Sequence, residues 1–312
     1  MTRRMKTAAV VLLLAALLVV GRIVTTPDPF VPVVQEIYRT PQTYGDEAID
    51  KLVALGPDAV PAIGSVLLAG EKFPITFVQA LERIGDERGT KPILKFISRQ
   101  APYSDRERST LTARSILALR GIPNPDACKP VSAILHDKTA HPRVRLAAAA
   151  TCSRLCAGNT KAEAQEFILD AYDDRARYLA DPNAGFTPPE LYSALIDVDN
   201  QKSLAIVLDV LEGGAPPRIA QPVIAYLARK DGENVANSLE RLLGDSSNYE
   251  LTVRLAAARA ILDNGNPVSS SLRSRIDQLA NEATAAPYGQ AIVDEALQLR
   301  ARASDLPQPL ND

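Results

Sequence analysis

Histidines and clustered carboxylates are the side chains that could support chemistry in this sequence, and they are few. The 312 residues include two histidines, His136 and His141, and no tryptophan. Histidine is the commonest general acid or base, but a single histidine at a helix end is more often a solvated side chain. The sequence has no nucleophile elbow, P-loop or dinucleotide-binding glycine pattern. It therefore predicts no catalytic site, no cofactor and a protein that is not an enzyme.

Two acidic clusters raise the question of a metal. Asp170, Asp173 and Asp174 lie close together on a probable helix, where they indicate either calcium binding or, as we favour, a solvated face with local ion pairs. The segment Asp197–Asn200 begins like a calcium loop. It lacks the glycine at the sixth position and the glutamate at the twelfth position that such loops use. We predict no metal site.

The sequence contains three cysteines. If the protein is exported to an oxidising compartment, as its N-terminal segment indicates below, this odd number leaves one cysteine without a partner in the same chain. Cys152 and Cys156 lie four positions apart on a probable helix, which is too stiff a spacing for an easy disulfide. Two alternatives follow. Cys128 forms a disulfide with one of these two, or all three are buried as small apolar side chains.

The N-terminal segment has the pattern of a signal peptide or signal anchor. Arg3, Arg4 and Lys6 precede Thr7–Gly21, which carries no charge and is strongly apolar. A membrane span needs about 20 residues, which this segment reaches only if it extends to Val24. The segment is then either cleaved after Gly21 or kept as an anchor. Either way the rest of the chain is predicted to lie outside the cytoplasm, in the periplasm or at the cell surface.

Composition limits the possible fold classes and the possible kinds of partner. Aromatic residues make up 5% of the chain, whereas alanine and leucine are abundant, which suits closely packed helices. Strand-like alternation is rare. The formal net charge is −2 and the pI is about 5.9, so the basic excess of a nucleic-acid-binding protein is missing.

The chain repeats itself. The hexapeptide VRLAAA occurs at Val144–Ala149 and again, 109 residues later, at Val253–Ala258, which corresponds to three units of roughly 36 residues. We expect the alanine side of both copies to be buried, with Arg145 and Arg254 in equivalent positions. Each unit consists of an apolar helix, a turn and a second apolar helix. The turn residues are separated by 29, 36, 37, 42, 32 and 33 residues, namely Gly56, Gly85, Gly121, Gly158, Asn200, Gly232 and Gly265.

This spacing predicts an all-α solenoid of about seven helical hairpins. The domains are a signal or anchor segment at 1–27, a linker at 28–44, the repeat array at 45–303 and a flexible tail at 304–312, with a last capping helix from about Gln290 to Ala303. Two segments interrupt the rhythm. Ala101–Arg108 is a polar joint, and Asp181–Pro189 is a loop rich in proline and glycine that indicates an insertion or a hinge.

Three segments resemble HEAT repeats, especially the short bacterial class of the bilin-attachment lyases: AIDKLVALGPDAVPAI, ALERIGDERGTKPIL and VRLAAARAILDNG. The resemblance extends over about residues 45–300. It implies stacked helical hairpins with second helices along an inner groove, and it implies no reaction. HEAT-like di-iron hydroxylases carry paired His–Glu dyads, which this sequence lacks.

A row of cations is the candidate binding surface. Lys91, Lys95 and Arg99 recur every four residues on the second helix of one unit, and Lys129 takes the corresponding place in the next. If second helices line the groove, these side chains form a ridge facing an anionic protein partner. The alternative is a solvated helix face.

The sequence therefore predicts an extracytoplasmic, secreted or membrane-tethered scaffold for protein–protein interaction. The main alternative is an enzyme or an enzyme accessory subunit, lyase-like or glycan-acting, that uses carboxylates in the groove. A structural spacer without a specific partner is a third.

Overall fold

The computed structural model describes residues 28–39, 45–70, 73–174, 188–230, 233–264 and 268–307. It contains the following helices in these ranges: α1 (Phe30–Arg39), α2 (Asp46–Ala54), α3 (Val60–Ala69), α4 (Pro74–Ile84), α5 (Thr90–Ser98), α6 (Arg106–Ala118), α7 (Cys128–His136), α8 (Pro142–Leu155), α9 (Gly158–Asp173), α10 (Pro188–Val198), α11 (Gln201–Glu212), α12 (Pro217–Leu227), α13 (Glu233–Gly244), α14 (Leu251–Asp263), α15 (Ser270–Ala285) and α16 (Gln290–Asp305). Short 3₁₀ turns occur at Pro57–Ala59, Glu87–Gly89, Leu119–Gly121 and Pro125–Ala127.

Within these ranges the chain is all-helical and has no strand, so the predicted fold class is confirmed at this level. In chain order α2 to α15 form seven successive pairs, each joined by a short turn or loop. One helix precedes them and one follows. The preceding helix, α1, lies where the sequence analysis placed a linker. The following helix begins at Gln290 as predicted and continues to Asp305.

The chain divides into two compact units. The first comprises residues up to Ala101 together with Arg114–Ala127, and the second comprises Pro102–Ala113 together with the chain from Cys128 onward. The first boundary falls at the start of the polar joint Ala101–Arg108. The proline-rich loop Asp181–Pro189 lies outside the described residues as far as Thr187, and α10 begins at Pro188.

In the first unit, helices pack in two rows. First helices contact first helices, as α2 does α4, and second helices contact second helices, as α3 does α5. Helix α1 packs on α2 and α3 at the start of the array. The core between the rows consists of large apolar side chains that are fully buried: Leu52, Ile63, Leu67, Phe77, Leu81, Ile93 and Ile97.

Glycine sets the close approach of two helices in this unit. A Cβ atom built on Gly64 of α3 would lie 2.5 Å from Cγ of Pro92 on α5, so only glycine fits this contact. Gly85 ends α4 in the left-handed conformation with φ 70°, and its N–H donates to the Leu81 carbonyl at 3.1 Å. The predicted turn residue Gly85 is thus a left-handed helix cap.

The second unit repeats the same arrangement. Its row of first helices runs α8, α10, α12, α14 and α16, each packed against the next, and α7, α9, α11, α13 and α15 are the second helices. Polar contacts join helices one repeat apart in the sequence. Arg259 on α14 contacts Glu295 on α16, 36 positions later, and Arg83 contacts Asp50 in the first unit across 33 positions. These separations agree with the predicted repeat length.

The signal or anchor segment lies outside the described residues, and its prediction stays untested. Among the described helices, none alone is long and apolar enough to cross a membrane. One pair, Asp46–Ala54 with Pro57–Ala69, meets the length and composition criteria together, but it bends by 102°.

Candidate functional site

The two copies of VRLAAA place their arginines in equivalent positions, as predicted. Nε of Arg145 donates to the carbonyl of Leu135 at 3.1 Å, and Nε of Arg254 donates to the carbonyl of Leu243 at 3.1 Å. Each arginine on a first helix therefore satisfies a free carbonyl at the end of the preceding second helix. The two differ in their second contact: Arg145 lies 4.7 Å from the centre of the Phe167 ring, and Arg254 bonds Glu282.

The alanines of the two copies are not equally buried. Ala147 is 3% exposed, in agreement with the sequence analysis. Ala256, at the same place in the second copy, is only half-buried and lines an open cavity. The expected burial of Ala256 is therefore wrong, because α12, α14 and α16 leave a groove over this position.

This groove has a volume of about 510 Å³. It lies on the row of first helices of the second unit, between α12, α14 and α16. Its floor is apolar and formed partly by small side chains: Ile224, Ala225, Leu255, Ala256, Ala260 and Ile292. Alanine at three of these positions leaves the space that larger side chains would fill.

Ion pairs line the edge of the groove. Arg259 bonds Glu295 at 2.5 Å, and Asp263 accepts from Arg302 at 2.7 Å. The groove thus holds carboxylates, as the enzyme alternative requires, but an arginine engages each of them. An apolar floor with a polar, internally paired rim is typical of a surface that receives an apolar side chain or helix face.

A second cavity, of about 340 Å³, lies on the other side of α12, near the C-terminal ends of α8 and α10. Asp199 is central to it and has a left-handed backbone, with φ 49°. Its Oδ1 accepts from the Tyr226 hydroxyl at 2.8 Å and from Lys230. The hydrogen bond from Lys230 holds the pKa of Asp199 below its ordinary value, and burial raises the pKa of Tyr226. Asp199 therefore serves as an anchor for the Tyr226 hydroxyl and the Lys230 ammonium group.

The four predicted cations are distributed over the two units. Lys91, Lys95 and Arg99 belong to the first unit, and Lys129 belongs to the second. Lys91 and Lys95 are exposed on α5 of the first unit. Arg99 follows the end of α5, and its Nη1 donates to the Leu68 carbonyl at 2.5 Å. Lys129 is exposed in the first turn of α7, in the second unit. The ridge of four cations stays a prediction, and Arg99 has a packing contact that the sequence analysis did not foresee.

The cysteine alternatives are resolved into one bridge and one thiol. Cys128 and Cys156 form a disulfide with their Cα atoms 5.4 Å apart, which ties the start of α7 to the end of α8. Cys152 is free and fully buried, and burial raises the pKa of its thiol to about 12. At neutral pH it is therefore an unreactive thiol.

The histidines take structural contacts. His136 places Nε2 3.0 Å from Glu163 and Nδ1 2.8 Å from the Ser132 carbonyl, and His141 accepts from the Arg143 N–H at the start of α8. No group of three His, Cys, Asp or Glu side chains that could hold a metal ion occurs in the part of the chain that the structure describes.

Sequence analysis did not identify the groove or its rim. Arg259 and Glu295, which pair at the rim, are one repeat length apart in the sequence. That separation is the one signal that could have indicated the rim. Which side of α14 stays uncovered depends on how neighbouring helices pack, and hydrophobic periodicity does not report that.

No family model and no curated protein matches the chain. Among solved structures it is similar to human deoxyhypusine hydroxylase in complex with glycerol, at 15% identity and a TM-score of 0.36, over 91% of this chain and 98% of that one. The similar protein is an enzyme, and the expectation that this chain is not an enzyme is withdrawn. A match at this level assigns no reaction or site to the chain.

Proposed function

We propose that this chain is a scaffold outside the cytoplasm, secreted or tethered to the membrane by its N-terminal segment, and that it binds a protein partner through an α-solenoid of HEAT-like repeats. The observation that carries the proposal is the groove over Ala256. The groove has a volume of about 510 Å³ and an apolar floor on a row of packed helices. An amphipathic helix docks on surfaces of this kind.

The disulfide supports the location. Bridges such as Cys128–Cys156 persist in oxidising compartments and are rare in the cytosol. The remaining cysteine, Cys152, is buried inside α8. The odd cysteine count is therefore compatible with an oxidising environment, because no accessible thiol is left among the three cysteines.

A crosslinking experiment tests the interaction. A photoreactive amino acid at Gln221, which is exposed on α12 at the edge of the groove, is compared with one at Asn281, which is exposed on α15. We expect one protein to be crosslinked from position 221 in intact cells, and not from position 281. Equal crosslinking from both positions, or none from position 221, would contradict docking in the groove.

Localisation needs a separate test, because a cytoplasmic scaffold would also crosslink. A reporter that is active only after export, fused after Asp312, should be active. Activity of a reporter that works only in the cytoplasm would refute the location and leave the groove proposal standing.

A further inference from the structure

Helix α1 carries an apolar flank that the first unit leaves partly uncovered. Val34 points into the unit and is fully buried. Phe30, Val33 and Ile37 recur at i, i+3 and i+7, and so lie on one flank of the helix. Phe30 and Ile37 are half-buried, whereas Val33 is 43% exposed. The flank is therefore accessible at Val33 and partly accessible at Phe30 and Ile37.

The start of α1 follows the apolar N-terminal segment closely in the sequence, and Asp28 fixes its first turn. Asp28 accepts from the Phe30 N–H through its carboxylate at 2.9 Å and from the Val31 N–H through its carbonyl at 3.1 Å. Only residues 25–29 separate Val24, the last apolar residue of the N-terminal segment, from α1. Five residues span at most about 18 Å. If the segment is kept as a membrane anchor, α1 begins within roughly 20 Å of the hydrocarbon edge.

We infer that α1 lies along the membrane surface, with Val33 and its neighbours in the boundary between headgroups and acyl chains. The inference rests on the proposed membrane tether. An amphipathic helix at this boundary buries its apolar side by roughly 5–10 Å, while the rest of α1 stays packed on α2 and α3.

A lipid surface suits this flank better than a protein does. A stable protein interface covers about 800 Å² on each partner, more than three partly buried side chains provide. A weak contact suffices for a surface to which the same chain is already attached, because the attachment raises the effective concentration of the bilayer at α1.

The absence of tryptophan from the sequence gives a direct test. Val33→Trp places a single indole on the flank, and Gln35→Trp places one on the opposite side of the same helix. Each full-length variant is reconstituted into vesicles whose lipids are brominated near the headgroup end of the acyl chains. The Val33→Trp protein should lose about half or more of its emission, and the Gln35→Trp protein should lose little.

The possible failures are distinguishable. If the full chain does not float with the vesicles, both the tether and the inference are overturned. If it floats but neither indole is quenched, the tether stands and the position of α1 is wrong. Quenching in the Gln35→Trp protein alone, or equally in both variants, also contradicts the assigned flank, and would indicate that the helix is turned or partly detached.

Discussion

Arg254 on α14 bonds Glu282 on α15, with Nη1 2.8 Å from Oε2, and the arginine side chain is only 3% exposed. Its Nε also donates to the carbonyl of Leu243 on α13. One guanidinium thus joins three consecutive helices of the second unit. Removing it would leave a carboxylate and a carbonyl without their partner.

We expect Arg254→Ala to lower the free energy of unfolding by about 3 kcal/mol. Breaking a buried pair on one side costs about 3–5 kcal/mol, and the lower end applies because the Glu282 side chain is 35% exposed. Urea unfolding followed by circular dichroism measures the change. Arg259→Ala is the matched control, because the Arg259 side chain is 54% exposed and its pair with Glu295 should contribute about 1 kcal/mol or less. Equal losses in the two variants would show that burial does not set the strength of these contacts.

The two copies of VRLAAA should respond differently to the same substitution. Ala147→Leu adds bulk at a position that is 3% exposed and should cost roughly 1–3 kcal/mol. Ala256→Leu projects into the groove and should change stability by about 0.5 kcal/mol or less. It should instead abolish the crosslink of the groove partner from a probe at Gln221. Thermal unfolding of both variants checks the first part, and a large loss of stability in Ala256→Leu would mean that the groove closes in solution.

The disulfide should stabilise the second unit. The Cys128–Cys156 bridge closes a loop with a sequence separation of 28 residues, for which chain entropy predicts about 3 kcal/mol. Cys128→Ser, or reduction of the wild-type protein, should therefore lower the free energy of unfolding by about that amount. Cys152→Ala, which leaves the bridge intact, should cost about 1 kcal/mol. Thiol labelling under native conditions should not modify Cys152; rapid labelling would contradict its burial.

The repeats were predictable because they depend on local signals. Hydrophobic periodicity and turn residues such as Gly85 report where helices begin and end. The equivalence of Arg145 and Arg254 followed from a duplicated hexapeptide. The partial exposure of Ala256 did not, because the first alanine of the hexapeptide is buried at Ala147 and only half-buried at Ala256. That difference arises from how the neighbouring first helices pack, and it cannot be read from the hexapeptide.

The interactions of charged side chains were harder to predict for the same reason. Arg99 has the spacing of a binding cation, yet it donates to the Leu68 carbonyl of a neighbouring helix.

The three cysteines left two alternatives, and the choice of Cys156 over Cys152 depends on which face of α8 points towards α7. The helix at Phe30–Arg39 lacks a glycine or asparagine turn of the repeat type, and it was assigned to a linker.

Asp199 should contribute to the dependence of stability on acid. Because Lys230 lowers the pKa of Asp199 below 3.8, the folded protein holds this carboxylate ionised more readily than the unfolded chain does. The contribution of Asp199 to folding stability is complete above the ordinary pKa of the carboxyl group. It is lost as the pH falls through the lower pKa of the folded state. In the Asp199→Asn variant the free energy of unfolding should therefore decrease less steeply as the pH falls below about 4. Asparagine tolerates the left-handed backbone, whereas Asp199→Ala should add a loss of about 1 kcal/mol at every pH. An unchanged acid profile in the asparagine variant would exclude Asp199 as a contributor.

The cationic surface can now be tested with a cleaner pair of substitutions. Lys91 and Lys95 are exposed on α5, and like charges four positions apart on a helix repel by a few tenths of a kcal/mol, so folding alone gives no reason for their spacing. Reversing both, Lys91→Glu with Lys95→Glu, should change stability by about 0.5 kcal/mol or less. If the surface binds an anionic partner, the double variant should bind that partner more weakly, and its binding should depend less on salt concentration.

Arg99 provides the contrast for this test, because its guanidinium donates to Leu68 at the end of α3. Arg99→Glu places a carboxylate beside that carbonyl and should lower the melting temperature, whether or not a partner binds. Isothermal titration at two salt concentrations and thermal unfolding on the same samples separate the effects. A folded Lys91, Lys95 double variant with unchanged partner affinity would show that these two lysines form an ordinary solvated helix face. A stable Arg99→Glu protein with weakened binding would instead assign Arg99 to the partner surface, since the bond to Leu68 would then be dispensable for folding.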